Sequence, residues 1–204
     1  MGHVRFTFPS DWHLFVYPLY VKRQQKQLRT GASDMTIKTG DTLPDATLLA
    51  MGEDGPQQVA LADKLKDRKV VLFGLPGAYT GTCSTAHVPS FMVTYDDFKA
   101  KGVDEIICVS VNDPFVMQAW GESTRATETG ITMLADAESA FTTAIGMNFS
   151  APPVGFVNRS KRYAMLVENG VVAILNEELS PGECEISAGE TLLEALDFQE
   201  KALD

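Results

Sequence analysis

The order of apolar blocks in this 204-residue chain predicts an α/β domain with a central mixed sheet flanked by helices. Three observations carry that expectation: a strand-helix-strand unit between residues 69 and 125, an Asn-Gly hairpin at 169–170, and an amphipathic stretch near the end. Lys69-Val-Val-Leu-Phe-Gly74 is continuously apolar and runs into Leu75-Pro76-Gly77, the pattern of a strand buried on both faces. Residues 82–101 read as helix. Glu105-Ile-Ile-Cys-Val-Ser-Val111 is a second strand of the same kind. A second helix follows over 114–125, with Asp113 as its N-cap and Pro114 in the first turn, where a missing N–H costs nothing. Two doubly buried strands joined by a helix make a parallel β-α-β unit. Residues 163–168 and 171–175 flank Asn169-Gly170, the pair that best supplies the two positive φ angles of a type I′ turn, so these strands run antiparallel. Leu192, Leu193 and Leu196 share one helix face over 187–196, with Ser187 and Glu190 at capping-box spacing. Including an extra strand and helix near Ile131 to Ile145, this is the element order of a thioredoxin-like fold.

Composition bounds the function. With 45% hydrophobic and 22% charged residues the chain is neither disordered nor fibrous. Its longest apolar runs, such as Val70–Leu75, fall far short of the roughly 18 residues of a membrane-spanning helix, so no membrane is expected. Seventeen Lys and Arg against 27 Asp and Glu give a net charge of -10, which repels a phosphate backbone and argues against nucleic acid. Residues 1–34 differ in kind. Arg5, Lys22, Arg23, Lys26 and Arg29 against Asp11 and Asp34 make this segment +3, which leaves -13 on the rest. Its apolar run, His13 to Val21, is broken by Pro18 and followed rather than preceded by basic residues, unlike an export signal; a transit peptide would carry more Ser and an amphipathic period. Residues 1–34 therefore read as a disordered N-terminal extension, or the product of a start codon placed too far upstream, and residues 35–204 as the folded domain. Cys83, Cys108 and Cys184 are an odd count without a Cys-x-x-Cys pair, neither a disulfide framework nor a zinc site. That usage points to a reducing compartment, taken as the cytoplasm.

The chemistry concentrates after the first buried strand, in Pro76-Gly-Ala-Tyr-Thr80-Gly-Thr-Cys83. Cys83 falls on the first turn of the helix leaving the sheet's carboxyl edge, where free N–H groups and the helix dipole favour a thiolate. Gly77 and Gly81 permit a tight turn, and Thr80 offers a hydroxyl three residues before the sulfur. A lone cysteine is also a common small core residue, and periodicity by itself names no reaction. His87, four residues after Cys83, has the spacing of half a metal site, but a third ligand is missing; it reads as a helix residue that tunes the thiol. Trp120 and Phe115 fall on a helix face and read as core or interface rather than as a stacking platform.

Pro76-x-x-x-Thr80-x-x-Cys83 resembles the active-site motif of the peroxiredoxins. The longer string Pro76-Gly-Ala-Tyr-Thr-Gly-Thr-Cys-Ser-Thr-Ala-His-Val-Pro-Ser-Phe91 is similar to their type II, peroxiredoxin-5-like, subfamily. The resemblance spans about residues 35–197, including Val109-Ser-Val-Asn-Asp-Pro-Phe-Val-Met-Gln-Ala-Trp120 and Lys161-Arg-Tyr-Ala-Met-Leu-Val-Glu-Asn-Gly170. It departs at Gly81, where the family usually has Pro, which implies a looser loop. The resemblance implies a thiol-dependent peroxidase of antioxidant defence that needs no metal or organic cofactor and reduces hydrogen peroxide and small alkyl hydroperoxides. Cys83 would be the peroxidatic cysteine that passes through a sulfenic acid, and Thr80 would hydrogen-bond peroxide and thiolate. Arg162 would stabilise thiolate and departing oxygen, Pro76 would shield the sulfur, and the N–H groups of Thr82 and Cys83 would complete the oxyanion pocket. A homodimer is implied as well.

For the return of the sulfenic acid to thiol, Cys108 lies in an apolar strand and reads as inert. Cys184 sits in the polar loop Ser180-Pro-Gly-Glu-Cys-Glu185, where some relatives carry a resolving cysteine, though the register differs by a residue or two. The expectation is therefore an external reductant, glutathione with glutaredoxin or thioredoxin. Two competing functions are weighed. A redox-sensing interaction module would signal through oxidation of Cys83, with turnover incidental. A dithiol disulfide reductase would need a second thiol at position 80, which is Thr.

Overall fold

The computed structural model describes residues 36–180 and 182–203. The expectation for residues 1–34 lies outside them. From the amino end the chain forms β1 (Thr47–Gly52), β2 (Gly55–Ala60), α1 (Leu61–Leu65) and β3 (Lys69–Leu75). A π-helical turn (Cys83–His87) leads into α2 (Val88–Val93), followed by α3 (Tyr95–Ala100), β4 (Glu105–Ser110), α4 (Pro114–Ser123), α5 (Ala126–Thr129) and β5 (Thr132–Ala135). Then come α6 (Ala140–Ala144), β6 (Asn148–Ala151), β7 (Phe156–Ser160), β8 (Tyr163–Glu168), β9 (Val171–Glu177) and α7 (Gly189–Leu203).

Among the described residues one mixed sheet has the strand order β2-β1-β5-β4-β3-β8-β9, and β6 and β7 pair separately. The expected β-α-β unit is present: β3 and β4 run parallel from Val70 opposite Glu105 to Leu75 opposite Ser110. Its continuous apolar character follows from cover on both faces. Val71, Phe73 and Leu75 pack with Phe91, Phe98, Trp120, Leu192 and Leu196, while Val70 and Leu72 pack on the other face with Ile107, Val109, Phe141 and Met165. The β8–β9 hairpin turns on Asn169 and Gly170 with φ of 48° and 80°, as the type I′ expectation requires. Asp113 caps α4 by accepting from the Val116 N–H at 3.0 Å.

Two expectations are corrected, and two strand pairs are added. The helix expected over 82–101 is divided at Thr94, whose hydroxyl bonds back to the Ser90 carbonyl at 2.8 Å and competes with the helical ladder. The capping box at Ser187 does not form. α7 begins at Gly189, and the Ser187 hydroxyl donates instead to the Glu178 carboxylate at 2.9 Å. The hairpin β1–β2, which turns at Glu53-Asp54, and the pair β6–β7, which is broken by a bulge between Phe149 and Ala151 and carries no period, have no counterpart in the sequence reading. Among the described residues no helix is long and apolar enough to cross a membrane.

Candidate active site

The site is assembled at the carboxyl edge of β3. Pro76 and Gly77 leave the strand buried, the chain turns through Tyr79 at φ 59°, and the helix begins at Gly81. Gly81 has open space around it and no positive φ, so its lacking the family's Pro introduces no special backbone conformation. The Ser84 N–H reaches back to the Thr80 carbonyl at 3.1 Å. The N–H groups of Thr82 and Cys83 precede that bond, in the first turn, where a helix supplies no intrahelical acceptors. Cys83 opens the π-helical turn, closed by the Val88 N–H on the Cys83 carbonyl. Pro89 accounts for the wide turn, because it has no N–H to return to Thr85 and its ring crowds that carbonyl.

Arg162 arrives from the junction of β7 and β8. The β3–β8 register pairs Gly74 with Tyr163, which sets Arg162 beside the end of β3. Its Nη2 donates to the Cys83 sulfur at 3.3 Å, and both side chains are withdrawn from solvent, Cys83 at 0% and Arg162 at 1% exposure. Although it follows Lys161 at the start of a strand, Arg162 is thus one of the largest buried side chains. Thr80 departs from expectation. Its hydroxyl proton goes to the Gly77 carbonyl at 2.8 Å rather than to the sulfur.

The remaining neighbours are polar tethers. His87 is buried edge-on between Phe73 and Phe91, with Nε2 on the Ser187 carbonyl at 3.1 Å. Burial, seconded by the Arg162 guanidinium, pushes its pKa down to about 3, so it is a neutral ring that carries no charge to the thiol. Glu178, whose own N–H donates to the Arg162 carbonyl, gathers the N–H groups of Glu185 and Ser187 and the Ser187 hydroxyl on one carboxylate oxygen. The loop so fixed carries Cys184 and meets the first turn before Cys83 where the Thr82 hydroxyl donates to the Gly182 carbonyl at 3.0 Å. Cys184 is half-buried, and burial pushes its thiol up to about 11. Burial also pushes the Cys108 thiol well up. Trp120 is core and donates to the Ser84 hydroxyl at 3.0 Å, whereas Phe115 is exposed.

Sequence reasoning passed over Ser110, Asn112 and Arg159. Asn112 Oδ1 accepts from the Ala78 N–H at 3.0 Å and from the Ser110 hydroxyl at 2.8 Å, and Arg159 Nη1 donates to the Val111 carbonyl at 2.7 Å. A signal existed for Asn112, a polar residue after a buried parallel strand at the sheet's carboxyl edge; Arg159 had none. Among the described residues no group of three or more His, Cys, Asp or Glu side chains is disposed to hold a metal ion. The arrangement offers a buried sulfur in a first helical turn with a guanidinium donor on it, the parts with which a nucleophilic displacement begins.

The Redoxin family model matches residues 38–193. The protein named Peroxiredoxin-2E-2, chloroplastic, of Oryza sativa subsp. japonica is 46% identical over 165 residues, 79% of this chain and 73% of that relative. Peroxiredoxin-2E, chloroplastic, of Arabidopsis thaliana is 39% identical over 165 residues, 79% of this chain and 70% of the relative. The crystal structure of reduced Prx3 from Vibrio vulnificus in complex with hydrogen peroxide superposes with a TM-score of 0.73 at 48% identity, covering 79% of this chain and 99% of that one. The cytoplasmic expectation is corrected by the two relatives named for the chloroplast. It rested on unpaired cysteines, and a thiol-reducing environment does not single out the cytoplasm.

Proposed function

This chain belongs to the redoxin family and is a type II peroxiredoxin, a thiol-dependent peroxidase, and we propose that Cys83 is its peroxidatic cysteine, served by Arg162, Thr80 and Pro76. The observation that carries the assignment is the 3.3 Å contact from Arg162 to the Cys83 sulfur inside a solvent-free niche. A guanidinium there donates to the reacting sulfur and receives charge on the oxygen that departs. The thiolate attacks the terminal oxygen of RO-OH. The S–O bond forms as the O–O bond breaks, the sulfur becomes a sulfenic acid, and the alkoxide leaves as alcohol after taking a proton. The Thr82 and Cys83 N–H groups face the reacting oxygens, and Pro76 keeps bulk water from the sulfur.

Peroxides are its substrates and a thiol its reductant. We infer that the reductant is external, glutathione with glutaredoxin or thioredoxin: the sulfenic acid condenses with the incoming thiol, releasing water, and a second thiol displaces the mixed disulfide. Support comes from Cys184, whose thiol, pushed up to about 11, is protonated and sluggish near neutral pH, and from the buried Cys108. The exposed rings of Tyr79 and Phe115 support a homodimer. The chloroplast names of the two plant relatives support an organellar location.

Stopped-flow consumption of hydrogen peroxide tests the assignment. Cys83→Ser abolishes it, and full activity in that variant overturns the reading.

A further inference from the structure

We propose that Asn112 is a positioning residue for peroxide reduction. Its side-chain oxygen aims the Gly77–Ala78 peptide so that the Gly77 carbonyl takes the Thr80 hydroxyl proton, which leaves the Thr80 oxygen free only to accept. The inference deepens the site described above and rests on Thr80 meeting the peroxide.

The argument is geometric. In a trans peptide the N–H and the C=O point in opposite directions, so a bond at one end aims the other. At one end of this unit the Ala78 N–H donates to Asn112 Oδ1 at 3.0 Å; at the other, the Gly77 carbonyl accepts from Thr80 Oγ1 at 2.8 Å. A backbone N–H only donates, so the Asn112 atom facing it is the oxygen, and the Ser110 hydroxyl, 2.8 Å away, donates to the same atom. Ser110 is fully buried at the end of β4, which anchors that oxygen to the sheet rather than to a loop. Arg159 holds the neighbouring Val111 carbonyl at 2.7 Å. Gly77 itself is enclosed: a Cβ there would lie 3.1 Å from Arg159 Nη1 and 3.4 Å from Thr80 Cγ2. The turn is therefore held from both sides.

The consequence falls on Thr80. A hydroxyl has one proton, and here it is spent on Gly77, so what Thr80 presents to the niche is lone pairs. A hydroperoxide supplies the O–H that such an acceptor needs. Without Asn112 the peptide is free to rotate, the Thr80 proton is released, and the hydroxyl meets the peroxide with the wrong polarity.

The test is a double-mutant cycle on the reduced protein, reading the peroxide rate constant by stopped flow and, as a control, alkylation of Cys83 by iodoacetamide, which needs the thiolate but no Thr80 acceptor. Asn112→Ala lowers the peroxide rate about tenfold, leaves alkylation unchanged, and adds no further loss in a Thr80→Val background. Ser110→Ala, which removes only the donor to Asn112, gives a smaller loss of the same kind and serves if Asn112→Ala does not fold. Losses that multiply in the double variant, an equal fall in alkylation, or an unchanged peroxide rate overturn the proposal. A slow Thr80→Val beside a fast Asn112→Ala sinks the Asn112 role alone. A fast Thr80→Val sinks the Thr80 reading beneath it.

Discussion

Arg162 lies seventy-nine positions after Cys83, yet its guanidinium donates to the Cys83 sulfur at 3.3 Å with both groups out of water. Arg162→Gln keeps a polar side chain but removes the charge, and the peroxide rate is expected to fall by about 10²- to 10³-fold. Arg162→Lys keeps a charge without the fork and falls less. Rates measured across pH, beside alkylation of Cys83, check both; parent-like kinetics in the Gln variant would remove Arg162 from the mechanism.

Thr80 donates to Gly77 and so can only accept from a substrate. Thr80→Ser retains activity, whereas Thr80→Val loses about tenfold or more. Dialkyl peroxides, which carry no O–H, are poor substrates beside alkyl hydroperoxides of similar size. Comparable rates for the two peroxide classes would count against the acceptor role.

Cys184 is half-buried with its thiol pushed up to about 11. Cys184→Ser is accordingly expected to turn over as fast as the parent with glutathione and glutaredoxin, or with thioredoxin. A Cys83–Cys184 disulfide that forms at the turnover rate, seen by mass spectrometry of the peroxide-treated parent, would refute the external reductant.

His87 is held neutral, at about 3 against an ordinary value of 6.5. Between those values the unfolded chain binds a proton that the folded one does not, so folding stability falls as pH falls, by about 1.4 kcal/mol per unit. His87→Gln lacks this slope: it is less stable than the parent near neutral pH, and its deficit shrinks by roughly 2 kcal/mol on going from about pH 6.5 to about pH 5. Urea unfolding at the two pH values measures the change, and parallel profiles would contradict it.

Gly189 brings α7 against α2, with its N–H on Ser90 Oγ at 2.9 Å and room for no side chain: a Cβ would meet Thr94 Oγ1 at 2.6 Å and the Ser90 carbonyl at 2.7 Å. Gly189→Ala should destabilise the fold by about 1–3 kcal/mol, seen as a lower Tm. An unchanged Tm would mean that the two helices slide apart freely.

Local chemistry wrote part of this protein directly into its sequence. The uninterrupted apolar runs of β3 and β4 specify strands covered on both faces, Asn169-Gly170 specifies its turn, Asp113-Pro114 starts a helix, and Cys83 follows a strand by the distance that puts it in a first helical turn. Each of these is decided by residues a few positions apart. Ser187 shows the limit, for its capping-box spacing was outcompeted by Glu178, nine positions before it and brought close by the loop. Arg162 and Asn112 go further still. Nothing beside Arg162 in the sequence marks it, and the buried strand before Asn112 marks its place but not its partners; each reaches the site because β8 and β4 pair with β3 in one register, the one that buries the apolar side chains of both sheet faces at once.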